Sequence, residues 1–310
     1  MELSVLAHPQ NLEFALTDSQ LSTLAQWPTL EIIVEKPVKL STAVWRVTAA
    51  NPGLMTGPGT NSYVLIGNDC CAILDPGPDD MVHRDALLAA VAETRKPLKF
   101  ILLTHTHRDH SPGSSALVAI TGARILGCPP LADDPSQDRD TVIDEVLTDQ
   151  QQWLGLGWPL HVVATPGHVE NHLCFYCPHE GWLITGDHLI QGSTVVIIPP
   201  HGRLADYLAS LEKLLTLPIE VILPGHGKAM VAAHDVIRGT ITHRLQREHK
   251  VLERFTIGSQ QTLMQLVETV YDDVQPWLHP VARFSLLAHL IKLAEEGRVR
   301  QQDDHWQRLH

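Results

Sequence analysis

Short apolar runs, each closed by a turn rich in Gly, Pro or Asp, follow one another along most of this chain and predict its elements. Residues 43–48 alternate like a strand, and 51–61 form a long loop crowded with turn residues, of the kind that rims a site. Residues 62–66 and 71–74 read as strands joined by the hairpin signal Gly67-Asn68-Asp69. A helix over 79–94, a strand at 100–103, a helix over 113–120 and a strand at 123–126 follow. The acidic insertion 131–149 reads most simply as a solvated face. Strands at 161–164, 173–177 and 181–185, a helix over 204–215 and a strand at 219–223 complete an α/β pattern. Beyond residue 240 the apolar spacing becomes helical at 243–255, 262–271 and 281–294, with Gly297 as a stop signal and 298–308 as a wing hairpin.

These strands end in metal-capable residues. Phe100-Ile101-Leu102-Leu103 leads into T-H-T-H-R-D-H, which puts His105, His107, Asp109 and His110 on the loop leaving a buried strand. On extended chain His105 and His107 point to one side, whereas on a helix they diverge. Imidazole suits zinc or iron, and a neighbouring carboxylate suits a hard divalent ion. Taken alone, the stretch can also be a His-rich surface loop. Later strands end in Thr165-Pro166-Gly167-His168, Gly186-Asp187 and Pro224-Gly225-His226-Gly227, with glycines that let the backbone come close. Residue Asp75, closing the strand 71–74, is either a helix or turn cap or the partner that orients a metal-bound histidine. His172 and His188 adjoin ligand positions in sequence and either line the pocket or pack.

Composition narrows the class. The 310 residues, 44% of them hydrophobic, can bury one large domain, or a large one with a small one. The net charge of −12 is uneven: residues 1–239 carry 14 basic against 26 acidic side chains, and residues 240–310 carry 9 of each. Such a surface repels phosphate backbones unless a basic strip intervenes. Five scattered cysteines fit a reducing compartment, and Cys174 and Cys177, three apart on a strand, face opposite sides and make no zinc ribbon. No basic leader and no run of about 18 apolar residues is visible, so a cytoplasmic protein without membrane contact is expected. Residues 1–40 read as an N-terminal extension packed on the surface.

In chain order, H-x-H-x-D-H at 105–110, T-P-G-H at 165–168, G-D at 186–187 and P-G-H-G at 224–227 resemble the metallo-β-lactamase superfamily. The resemblance implies a four-layer αβ/βα sandwich with a binuclear site at one edge. It assigns His105, His107 and His168 to one metal, Asp109, His110 and His226 to the other, and Asp187 to a bridge. N-P-G-x-x-T-G-P-G-T-N-S-Y at 51–63 narrows the likeness, over residues 43–300, to the lactamase-β-like-2 type with a C-terminal winged helix. A catalytic domain at 1–239 and a winged-helix-like domain at 240–310 are expected. Val169, where relatives often have Thr, and Ser111-Pro112-Gly113, in place of a Gly-rich turn, depart from the pattern without touching a proposed ligand.

The same resemblance implies a hydrolase with two divalent ions, zinc first and manganese or iron as alternatives, whose bridging water has a pKa lowered to about 7 and attacks as hydroxide. Asp109 is then the catalytic carboxylate that holds the water. A small ester, thioester or lactone-like substrate is favoured, because loops 51–61 and 188–203 offer only Arg203 as a cation. Single-stranded RNA, cleaved by relatives of this type, is the alternative, and a non-catalytic binding module comes third because all seven ligand positions are filled. The C-terminal helix at 281–294 offers only Arg283 and Lys292 as cations, so packing or homodimer formation is expected there rather than duplex DNA binding. His243, His249, His279 and His289 are expected to be satisfied structural histidines.

Overall fold

The computed structural model describes residues 31–256 and 258–309, and in them two sheets face each other with helices on their outer sides. The first sheet runs in sequence order through β1 (Val38–Lys39), β2 (Val44–Thr48), β3 (Asn61–Ile66), β4 (Cys71–Leu74), β5 (Leu98–Leu102), β6 (Arg124–Gly127) and β7 (Glu145–Val146). Its β4, β5, β6 and β7 are parallel neighbours; α1 (Met81–Thr94) connects β4 to β5, and α2 (Gly113–Thr121) connects β5 to β6. The second sheet is made of β8 (Gln152–Trp153), β9 (Leu160–Ala164), β10 (Leu173–Cys177), β11 (Trp182–Gly186), β12 (Val221–Pro224) and β13 (Met230–Val231). Between β11 and β12 runs α3 (Leu204–Leu214).

The layering follows from strands that are apolar on both faces, as a sheet buried on both sides requires. In β4, Ala72 and Leu74 join the inter-sheet core with Phe175, Trp182 and Ile184, while Cys71 and Ile73 face Leu87 and Val91 of α1. On the other sheet Cys177 faces inward and Cys174 packs toward Leu208 and Leu211 of α3, so the two thiols lie on opposite faces as expected. The five cysteines are free. A local signal starts α1: Asp80 Oδ1 accepts from the amides of Val82 (2.8 Å) and His83 (2.9 Å), a cap that contributes about 1 kcal/mol.

The N-terminal extension lies largely outside the described residues; of it, Val34 bridges Thr48 and β1 edges the first sheet. At the other end, α4 (Ala233–Arg254) begins ten residues before the helix expected from spacing and runs through position 240. Its first turns, with Ala233 and Ile237, pack on the second sheet's outer layer, and Val251 and Leu252 pack on the C-terminal module. The sequence boundary thus falls within one helix whose apolar stripe changes partner half-way. Beyond it lie β14 (Gln260–Thr262), α5 (Leu263–Val270, with a Thr262/Gln265 capping box), α6 (His279–Glu295) and the wing hairpin β15 (Val299–Gln302) with β16 (His305–Arg308). On α6, Lys292 is tied to Glu248 (2.8 Å) and Glu296 (2.6 Å), and Arg283 lies over the Phe284 ring. Among the described residues no helix is long and apolar enough to cross a membrane.

Candidate metal centre

Strands β4, β5, β9, β11 and β12 all end at one edge of the sandwich, which gathers residues distant in sequence. Ligand-capable atoms of His105, His107 and His168 lie within 4.8 Å of one another, and so do those of Asp109, His110 and His226. Asp187 stands between the sets, with Oδ1 3.1 Å from His226 Nε2 and 3.3 Å from His110 Nε2, and Oδ2 3.6 Å from His168 Nε2. Asp109 Oδ2 is 3.4 Å from His110 Nε2 and 3.3 Å from His226 Nε2. All seven residues that the resemblance singled out therefore meet at one place.

Four of the imidazoles are aimed by a bond at the far nitrogen. His110 Nδ1 donates to Asp75 Oδ2 at 2.9 Å. Thr104 Oγ1 donates to the same oxygen at 2.6 Å and so accepts from His105 Nδ1 at 2.9 Å. His168 Nδ1 donates to the Val196 carbonyl at 2.8 Å and His226 Nδ1 to the Gly59 carbonyl at 3.2 Å. In all four, Nε2 is turned toward the centre, where His168 Nε2 lies 3.0 Å from His107 Nδ1. Asp75 also groups with His105 and His110, but its oxygens are spent, since Oδ1 accepts from the Thr104 amide at 2.7 Å. It orients histidines rather than capping a helix. Its backbone sits in the left-handed region at φ 50°, which Asp and Asn tolerate better than other side chains.

His172 accepts from the Asp187 amide at Nε2 (3.2 Å), so Nδ1 donates to Thr165 Oγ1 (2.9 Å), and the ring holds the Gly186-Asp187 turn. His188 is buried against Tyr207, with ring centroids 4.8 Å apart, and neither of its nitrogens has a hydrogen-bond partner. The 51–61 loop does more than rim the site. From its end, Asn61 Nδ2 donates to the carbonyls of Pro224 (2.9 Å) and Gly227 (2.8 Å), and Tyr63 Oη donates to Pro224 (2.8 Å). These bonds clamp the turn that carries His226. At Gly59, φ is 141° and a Cβ would lie 1.9 Å from the Ala49 carbonyl; at Gly225 one would lie 2.9 Å from Asp187 Oδ1 and His110 Cε1.

Two expectations need correction. Within the 131–149 insertion, Asp134, Gln137, Asp138 and Thr141 are buried, Ser111 Oγ donates to Asp138 Oδ2 (3.1 Å), and Gln137 meets Thr106 and Asn171. Part of the segment is therefore a wall of the metal loop, because its short polar side chains answer backbone and hydroxyl groups that extended chain leaves unpaired. His289 is wholly buried, yet neither ring nitrogen is hydrogen-bonded, and His243 Nδ1 is likewise buried without a partner, so neither is the satisfied histidine expected. Burial, with Arg244 beside it, holds His289 neutral, well below the ordinary range.

The electrostatics suit cations. Burial, then neighbouring His168, pushes His107 down to about 3, and burial with His110 and His107 pushes His105 well down. Burial also opposes charge on His226 and His110, but the carboxylates override it: Asp187 raises His226 to about 9, and Asp109 with Asp187 lifts His110 well above its usual value. Against their own burial, Asp187 is held well below the carboxylate range by His226 and His110, and Asp109 is held low by His110. Nε2 of His105, His110 and His226 and Oδ1 of Asp187 are buried without a hydrogen-bond partner. Leaving such atoms unpaired is costly, and divalent ions held by nitrogen and carboxylate satisfy them together. The donor set fits the ions.

The superfamily model "Metallo-beta-lactamase superfamily" matches residues 55–226, more than half of the chain. The chain belongs to the metallo-β-lactamase superfamily. As a member it is a metal-dependent hydrolase, and residues 262–306 match the "Beta-lactamase associated winged helix domain". It is 32% identical over 279 residues to the beta-lactamase-like protein 2 homolog of Drosophila melanogaster, covering 86% of this chain and 93% of that one. It is 29% identical over 247 residues to the atrochrysone carboxyl ACP thioesterase of Aspergillus fumigatus, covering 75% and 74%. A metallo-beta-lactamase family protein of Thermus thermophilus shares the fold, with a TM-score of 0.73 at 23% identity over 87% of this chain and 100% of that one.

Thr104, Gly59 and Val196, which aim three of the histidines, were not singled out by sequence reasoning. Two of them act through a backbone carbonyl, which leaves no trace in residue type; Thr104 was visible, beside the motif. One test addresses the aiming itself. Asp75→Asn keeps a side chain that tolerates the backbone, but its amide presents a donor to His110 Nδ1 or to Thr104. Metal affinity should fall about 10- to 100-fold with the fold retained, measured by zinc titration alongside circular dichroism. Unchanged affinity would return Asp75 to a capping role.

Proposed function

We propose that this hydrolase holds two divalent ions, zinc first with manganese or iron as alternatives, and cleaves a small thioester or ester. His105, His107 and His168 hold one ion, Asp109, His110 and His226 the other, and Asp187 serves both. The observation that carries the two-ion reading is the pair of three-residue donor groups with the Asp187 carboxylate between them. When bound, the ions supply Lewis acidity, polarising an acyl oxygen and lowering the pKa of water at the site.

The chain's own residues do the rest. Asp109, with its side chain 30% exposed against 12% for Asp187, reaches further toward solvent than the other carboxylate. The oxygen of this carboxylate not turned to the donor group orients the attacking water, takes the proton released as the new C–O bond forms, and passes it to the departing thiolate or alkoxide as the old bond breaks. His172 keeps the Asp187 turn in place, and Thr60 Oγ1, 3.5 Å from Asp109 Oδ2, limits the swing of that carboxylate.

Charge supports the acyl substrate. Arg203, the cation of the 188–203 loop, is committed to Asp206 (3.1 Å) and Glu295 (2.8 Å). Arg108, exposed on the metal loop itself, suits a single anionic group on a substrate and not a track of nucleotides. The thioesterase name of the Aspergillus relative points the same way. Five free thiols support a cytoplasmic setting, and the pairing of Lys292 on α6 with Glu248 and Glu296, which leaves Arg283 as the other cation of that helix, supports a winged helix that does not read duplex DNA.

The deciding experiment compares catalytic efficiency on an acyl-thioester panel with cleavage of a labelled single-stranded RNA, using wild type and Asp109→Asn. Thioester hydrolysis lost in the variant is expected. RNA cleavage abolished by the substitution, with no acyl substrate turned over, would establish the ribonuclease reading instead.

A further inference from the structure

We infer that Arg244, on α4, is a positioning residue for the metal ligand His168; the inference rests on the two-ion reading above. The guanidinium is buried, its NH2 group donates to the Val195 carbonyl, and its Nε has no hydrogen-bond partner. The next carbonyl along the chain, that of Val196, accepts from His168 Nδ1 at 2.8 Å. Residues 194–198 belong to no strand, so no sheet ladder sets the tilt of these two peptides. Their orientation depends on what grips them. Arg244 grips one, the buried side chains of Val195 and Ile197 anchor the segment to the outer core, and His168 is aimed by the other.

The grip is itself braced. The Arg244 guanidinium lies over the Tyr207 ring at 5.2 Å, and Tyr207 Oη donates to the His188 carbonyl at 2.8 Å. Tyr207 also backs the turn before His168: a Cβ on Gly167 would lie 2.3 Å from Tyr207 Cα. Taking an arginine out of water is expensive, and an apolar side chain would fill the same volume without that cost. What methionine cannot supply is a planar donor that reaches a carbonyl while stacking on an aromatic ring. Because α4 continues into the C-terminal module, the segment aiming His168 is held by a helix shared between both modules.

The test separates the two metal sites. Zinc affinity is measured on metal-free protein in a His226→Ala background, which keeps the His105/His107/His168 group, and in a His105→Ala background, which keeps the other. Arg244→Met is expected to lower affinity about 10- to 100-fold in the first background and to change it less than about 2-fold in the second. Arg244→Lys, which keeps a donor without the planar stack, is expected to restore part of the loss. General loosening of the fold would weaken both backgrounds alike, and that outcome, or unchanged affinity in the first, overturns the inference. Should Arg244→Met not fold, Arg244→Lys and Arg244→Gln replace it, and equal loss in the two backgrounds again overturns it. Wild-type protein that saturates at one zinc equivalent would refute the two-ion reading instead; Arg244 would then stand or fall on whether the affinity at that single site drops in Arg244→Met.

Discussion

Asp109→Asn should lower turnover by about 10²- to 10⁴-fold while the protein stays folded. The carboxylate lies 3.3 Å from His226 Nε2 and 3.4 Å from His110 Nε2, and its side chain is 30% exposed. In the proposed reaction it combines two tasks, completing one donor group and facing the attacking water. An amide has neither the charge nor the basicity, and it turns an N–H toward nitrogens that must accept a cation. The His105/His107/His168 group does not include it, so one metal equivalent should persist. Elemental analysis, kcat/KM on a thioester and circular dichroism together check this. Near-normal turnover with both ions bound would remove Asp109 from the chemistry.

Metal removal should expose a second large effect, an unusual dependence of stability on pH. In the metal-free protein His226 titrates near 9, against about 6.5 in the unfolded chain. A raised folded value contributes stability that is complete below 6.5 and is lost as pH climbs through 9, about 3 kcal/mol from this one group. His110 adds to the same limb, its value being raised by Asp109 and Asp187 after burial is overcome. On the acid side the sign reverses. Burial holds His107 and His188 down to about 3, so their contribution is complete above 6.5 and is lost as pH falls toward 3. Metal-free protein should therefore be most stable near pH 6.5 and should lose melting temperature toward pH 9.5, while zinc, by occupying the same lone pairs, should flatten that alkaline limb. Melting curves with and without chelator at pH 6.5, 8 and 9.5 check it. Equal metal-free stability at 6.5 and 9.5 would mean that the His226–Asp187 contact contributes little.

Much of the fold and of the centre was legible in the chain. Ligands at strand ends are readable because a strand's apolar run and its closing turn are local signals, and the order of His105, His107, Asp109, His110, His168, Asp187 and His226 along successive strands does not depend on knowing how the sheets pack. The opposite facing of Cys174 and Cys177 was likewise implied by period two alone. Helical spacing located α5 and α6 to within about two residues, and α4 was found only from its middle, although Val236, Ile237 and Ile241 mark its first turns at helical spacing.

What tertiary structure decided was the second layer of contacts. Two alternatives for Asp75 stayed open until β4 and β5 were seen side by side, with Thr104 and His110 both bonded to one carboxylate. The acidic insertion 131–149 passed for a solvated face until Gln137 and Asp138 were found against the metal loop. Gly59 and Val196 aim histidines through carbonyls, and Arg244 grips a third carbonyl from a helix beyond the second sheet. Every residue carries a carbonyl, so composition and spacing are blind to such bonds. Side-chain chemistry along the chain determined which atoms can bind a metal; the packing of two sheets and a shared helix determined which nitrogen of His105, His110, His168 and His226 faces the centre.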